Sequence, residues 1–213
     1  MTEIKFCGLT RRIDVEIAVE LGATYVGAVF ADSPRRVTED EARALFKGVS
    51  RARRVGVFGH QSAAEIARAA KRAALDVVQL HGDPTPEEAA TLKAATGRET
   101  WVAVRVGNEL VEADLDAMMS SADAILFDTR VDGSLGGTGR AFDWGLLTNL
   151  LDQHRRNDAR IVLAGGLTPE TVPSAIAAIR PDVVDVSSGV ETRPGVKDHD
   201  RMRAFAAAVR HAP

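Results

Sequence analysis

Short apolar, β-branched runs recur along the chain at Ile4–Cys7, Tyr25–Phe30, Arg54–Phe58, Val77–Leu80, Trp101–Arg105, Ala124–Phe127, Arg160–Ala164 and Val183–Val186. Their starts are mostly about 20 to 30 residues apart. Runs such as "AILF" and "IVLA" carry no polar position at all, the pattern of parallel strands buried on both faces. Between the runs lie Ala-rich stretches with helical character: 11–22, 38–50, 62–73, 85–97, 108–121, 143–155, 168–179 and 198–210. Thr38 with Glu41, and Thr85 with Glu88, have the spacing of a capping box, in which each side chain satisfies a backbone N–H of the other end. Thr168-Pro169 reads as an N-cap followed by proline at the first helical position. Pro173 is then awkward and is tolerated only within a first turn.

Eight strands alternating with eight helices define an α/β protein with a parallel sheet. Eight such units in 213 residues fit a compact (β/α)8 TIM barrel. Residues 1–213 are expected to form one catalytic domain of this kind, with no linker and no low-complexity segment. An open doubly wound sheet is the alternative, and no GxGxxG follows the first strand to favour it.

Composition narrows the function. The hydrophobic fraction, 45%, is that of an ordinary globular protein, and the net charge of −3 offers no field for nucleic acid or an anionic membrane. A single cysteine excludes a disulfide scaffold and thiolate metal clusters, and neither HxH nor HExxH occurs. No cofactor or metal is expected. The N-terminus has no signal-peptide core, and no apolar run nears the roughly 20 residues that span a bilayer. A cytoplasmic monomer acting on a small molecule is the expectation.

In a barrel the active site forms where strands end and βα loops begin. Polar and reactive residues gather there: Cys7-Gly8, "DSPRRV", "QLHG", "FDT", "GGL" and "VSSGVE". The opposite loops are short connectors. Gly165 and Gly166 follow the seventh strand, and Ser187, Ser188 and Gly189 follow the eighth. Glycines let a phosphate approach backbone N–H groups, serines add donors, and these are the two loops that often bind phosphate in barrels. Tight turns alone would also explain them. Gly136, Gly137 and Gly139 lie in a long segment after the sixth strand, either a lid or a plain loop. Cys7 is either a small core residue or a reactive thiol at a strand end. Asp128 ends the sixth strand after apolar "AILF" and needs a partner or a task. Facing one another, thiolate and carboxylic acid form a base–acid pair. His81 is a pocket candidate or a structural histidine; His199 belongs to the start of the last helix.

Taken in order, "KFCGLT", "SPRRV", "VQLHG", "LFDT", "GGTGRAFDW", "LAGGLTPETV", "VDVSSGVE" and "PGVKDHD" resemble the phosphoribosylanthranilate isomerase family from Lys5 to about Arg203. The resemblance implies a tryptophan-biosynthesis enzyme and an Amadori rearrangement. Asp128 would be the general acid, Cys7 the general base, and Arg35 the arginine that orients the substrate, with His81 and Asp185 also lining its site. The thiolate would gain from a nearby positive charge or from the N–H groups of the following helix. One departure is "GVFGH", with Gly59-His60 where the family usually carries asparagine; the second loop is also one residue shorter than in some members. Two rivals stand beside this reading. One is the histidine-pathway or a dual-specificity phosphoribosyl isomerase, which resembles a carboxylate pair with aspartate at the position of Cys7. The other is a non-catalytic phosphosugar-binding barrel.

Overall fold

The structure is a computed structural model that describes residues 1–106, 112–128, 147–151 and 159–213. Eight parallel strands close into a barrel: β1 (Glu3–Phe6), β2 (Tyr25–Val29), β3 (Arg53–Phe58), β4 (Val77–Leu80), β5 (Glu99–Arg105), β6 (Ala124–Asp128), β7 (Arg160–Ala164) and β8 (Val183–Val186). Closure is made by β8 against β1, in the register Lys5 with Asp185 and Phe6 with Val186. The backbone N–H of Cys7 extends this ladder by donating to the Val186 carbonyl at 2.9 Å. Around the barrel run α1 (Arg12–Glu20), α2 (Glu39–Leu45), α3 (Ala63–Arg72), α4 (Pro86–Thr96) and α5 (Glu112–Ser121). They are followed by a helical stretch at 147–151 (α6), then α7 (Val172–Ile179) and α8 (His199–Arg210). Among the described residues, no helix is long and apolar enough to cross a membrane.

Two apolar clusters result from strand alternation. The larger lies between barrel and helices and includes Phe6, Val26, Phe58, Val78, Phe127, Leu163 and Phe205. The smaller fills the barrel itself: Tyr25, Val55, Val77, Trp101, Ala103, Ala124, Leu126, Val162, Ala164 and Val183. Tyr25 and Trp101 meet edge-on near its floor, with ring centroids 4.8 Å apart.

Both expected capping boxes form, at Thr38/Glu41 and Thr85/Glu88, and Ser62/Glu65 makes a third. The seventh helix differs from expectation. Thr168 does not cap it; Thr168 opens a turn, its hydroxyl accepting from the N–H of Glu170 and Thr171, and the helix begins at Val172. Pro173 explains the shift. A helix begun at Pro169 would carry Pro173 in its interior, where the ring removes a hydrogen bond and clashes with the preceding turn. Starting at Val172 leaves Pro173 in the first turn.

A short hairpin after β8, made of β9 (Glu191–Arg193) and β10 (Val196–Lys197), lies outside the β/α repeat. Thr85→Ala removes one cap from α4 and is expected to cost about 1 kcal/mol. Urea unfolding measures this as a lower midpoint with an unchanged slope.

Candidate active site

Side-chain parity decides what reaches the barrel mouth. Ala124 and Leu126 point inward, so Asp128 does too; Val77 brings Gln79 and His81 to the same side, and Val183 brings Asp185 and Ser187. On β1 the same alternation sends Lys5 and then Cys7 into the barrel. The inward rows therefore end at the C-terminal rim in a thiol, an imidazole, a carboxyl and a hydroxyl. Cys7 and Asp128 stand on strands separated by β7 and β8 on one side of the ring and by β2 to β5 on the other.

Cys7 is buried, and burial pushes its thiol above the ordinary value, while the positive charges of Lys5 and Lys197 oppose the rise. Helix α1 starts only at Arg12, so the helpful charge near the thiol comes from these lysines. Gly27, inward on β2, makes room: a Cβ there would sit 3.1 Å from Cys7 Sγ and 3.3 Å from Cys7 Cα. Asp128 Oδ2 lies 3.5 Å from His81 Nε2, and among the described residues the buried His81 Nδ1 has no hydrogen-bond partner. The backbone of His81 is fixed by its N–H, which donates to the Phe58 carbonyl at 2.8 Å.

Arg35 reaches back over Gly8, whose φ of 68° favours glycine and whose missing side chain leaves space for the Arg35 Cδ. The guanidinium grips Glu191 with Nε and Nη2, at 2.8 and 2.6 Å. Lys197 Nζ meets the same carboxylate at 2.8 Å and donates to the Ser187 carbonyl at 3.0 Å. Burial acts to raise the Glu191 carboxyl, but the hydrogen bonds from Arg35 and Lys197 outweigh it and hold the group below the usual carboxylate range. Burial pulls Lys197 below its ordinary value, against the pull of Glu191. One carboxylate thus links the Arg35 loop to the β8 loop.

The β7 and β8 loops lie against each other. Gly165 and Gly166 both have positive φ, 91° and 66°. Ser188 and Gly189 lie in a 3-10 turn, Ser188–Val190. A side chain on Gly189 would collide with the Leu167 carbonyl, and the Gly189 carbonyl accepts from Arg201 Nε at 2.9 Å. Asp185 sits one layer below the rim, buried, with Oδ2 2.6 Å from Lys5 Nζ and, among the described residues, no hydrogen-bond partner for Oδ1. His199, at the start of α8, pairs with buried Asp14 at 2.8 Å. Gly136, Gly137 and Gly139 lie outside the described residues. Lys5, Gly27, Glu191 and Lys197 complete the site without having stood out in the sequence. A charged residue inside an apolar strand run was the available signal for Lys5.

A closed (β/α)8 barrel with polar groups at its C-terminal mouth and paired glycine turns after β7 and β8 belongs to the barrel enzymes. The model of the N-(5'-phosphoribosyl)anthranilate (PRA) isomerase family matches residues 4–208, and the chain belongs to that family. It is 42% identical over 220 residues to the N-(5'-phosphoribosyl)anthranilate isomerase of Acetivibrio thermocellus, covering 100% of this chain and 97% of that protein. The crystal structure of phosphoribosyl anthranilate isomerase from Thermotoga maritima superposes with a TM-score of 0.83 at 37% identity, covering 99% of both chains. A further isomerase structure, in complex with reduced 1-(o-carboxyphenylamino)-1-deoxyribulose 5-phosphate, has a TM-score of 0.80 at 35% identity and covers 99% of both chains.

Glu191 yields a prediction on acid stability. A depressed carboxyl contributes fully above its unfolded value of about 4.3, and the contribution is lost as pH falls through the lower folded value. Glu191→Gln is expected to be less stable than the parent at pH 7, with the difference shrinking in acid. Thermal melts across pH 3 to 7 test the sign.

Proposed function

We propose that the protein catalyses the Amadori rearrangement of N-(5-phosphoribosyl)anthranilate to 1-(2-carboxyphenylamino)-1-deoxyribulose 5-phosphate in tryptophan biosynthesis. All of residues 1–213 serve as one catalytic domain. The observation that carries the reading is the inward convergence of Cys7 and Asp128 at one barrel mouth, in a chain that belongs to the PRA isomerase family.

Asp128, as general acid, gives its proton to the furanose ring oxygen; the C1–O bond breaks and the glycosylamine opens to an imine. Cys7, as thiolate, removes the proton from the sugar C2, and the electron pair of that C–H bond forms the enolamine. Tautomerisation then yields the ketone, so the reaction is a net movement of hydrogen within one molecule and needs no external oxidant. His81 stands beside Asp128 and lines the pocket. The unpartnered Asp185 Oδ1 is suited to accept from a sugar hydroxyl. The planar fork of Arg35 suits the anthranilate carboxylate, which would share the guanidinium with Glu191. Gly165, Gly166, Ser187, Ser188 and Gly189 hold the phosphate, so that binding at the two ends of the substrate fixes the sugar between base and acid.

The enzyme works in the cytoplasm as a monomer. Among the described residues the large apolar side chains that are exposed are Met1 and Ile13, which offer little surface for a partner copy. Light scattering is expected to give the mass of one chain, and a two-chain mass would overturn this part of the proposal.

Cys7→Ser and Asp128→Asn are each expected to lower turnover by about 10²–10⁴-fold with an unchanged circular dichroism spectrum. The assay follows anthranilate fluorescence, with the labile substrate generated in place. Near-normal rates in either variant contradict the assigned role. Turnover of the histidine-pathway substrate alone would replace the reaction with that of the related isomerase.

A further inference from the structure

Lys5 on β1 and Cys7, which directly follows the strand and extends its ladder, are two residues apart, so both enter the barrel, one layer above the other. Gly27 on the next strand touches both: a Cβ built there would lie 3.1 Å from Cys7 Sγ and 3.4 Å from Lys5 Cε. The lysine is wholly buried, its ammonium 2.6 Å from Asp185 Oδ2 and 3.0 Å from Gln79 Oε1. Removing an ammonium and a carboxylate from water costs several kcal/mol per ion, and apolar side chains of the same volume often fill such a position at no loss of stability. Packing alone therefore gives no reason for a charge at this level of an otherwise apolar barrel.

The thiol directly above supplies one. Burial disfavours the anionic form of a thiol, whereas a general base needs that form. The charged groups that face Cys7 are Lys5 from β1, Asp185 from β8, Lys197 from β10 and Arg35 from the loop after β2. Lys197 and Arg35 both lean on Glu191, which counters their charge. Lys5 acts on the thiol more strongly than Asp185 opposes it, so the pair as a whole favours the anion.

We propose that Lys5 is the positioning residue that makes Cys7 usable as a base: its ammonium, pinned beneath the sulfur by Asp185 and Gln79, stabilises the thiolate against burial. The benefit to turnover rests on the reading of Cys7 as the general base; the effect on the thiol itself does not.

Cys7 is the only cysteine in the chain, so its ionisation can be read without substrate. The rate of alkylation by iodoacetamide, followed by mass, is measured against pH. In Lys5→Met the alkylation midpoint is expected to rise by about one pH unit or more, the effect of losing an adjacent opposite charge. The limb of the kcat/KM profile that follows Cys7 ionisation moves with it. Asp185→Asn leaves the ammonium without its carboxylate and is expected to lower the alkylation midpoint. An unchanged midpoint in folded Lys5→Met overturns the proposal. Where that variant does not fold, Asp185→Asn decides, and a midpoint that stays or rises overturns it. Shifted midpoints together with normal turnover in Cys7→Ser would keep the role of Lys5 and remove Cys7 from the chemistry.

Discussion

The hydrogen-bonded seam between β8 and β1 governs the rest of the molecule. Once the sheet closes, every strand has one row of side chains inside the ring and one outside. The outer row packs under the helices, and the inner row has to fill a narrow space with whatever the sequence places at alternate positions. The seam itself aligns Lys5 with Asp185, so the closure of the fold and the pairing of its buried charges are one event.

The inner rows form a gradient of polarity along the barrel axis. At the floor, the Tyr25 ring lies against Trp101, with the guanidinium groups of Arg53 and Arg160 5.7 and 5.9 Å from its centroid. Above comes the polar trio of Lys5, Gln79 and Asp185, two of them charged, and above that the thiol, imidazole and carboxyl of the mouth. Each polar step is anchored from below. An apolar plug fixes the trio, and the trio faces the site. The mouth is further braced from outside the ring, where Asp14 is buried and receives Arg11, His199 and the N–H of Lys197. That carboxylate fastens the hairpin after β8 to the start of α1 and so fixes the position of the Lys197 side chain.

Much of this was legible in the residues. The β-branched runs located the strands, because burial on both faces leaves no polar alternation to confuse them. Capping spacings located the helix starts at Thr38/Glu41 and Thr85/Glu88, and the same spacing at Ser62/Glu65 went unread. Thr168-Pro169 misled because the local signal is strong and Pro173 cancels it only through a clash within the helix. Cys7, Asp128 and the glycine turns drew notice because they stand at strand ends. Glu191 and Lys197 were not: their partnership runs across a hairpin with no repeat and depends on Arg35 arriving from a loop distant in sequence. Lys5 and Asp185 each sat inside an apolar run. Read together, "IKFC" and "VVDV" announce two buried opposite charges, and only the register of the seam says that they meet.

The cluster of Arg35, Lys197 and Glu191 has two positive charges and one negative, on a chain whose net charge is −3. One cation of the cluster is left uncompensated within it, and on a chain of negative net charge that favours the approach of anions to this part of the rim. Such capture is a property of the encounter and not of the bound state. Added salt, which shortens the reach of the field, slows arrival while leaving the later steps untouched.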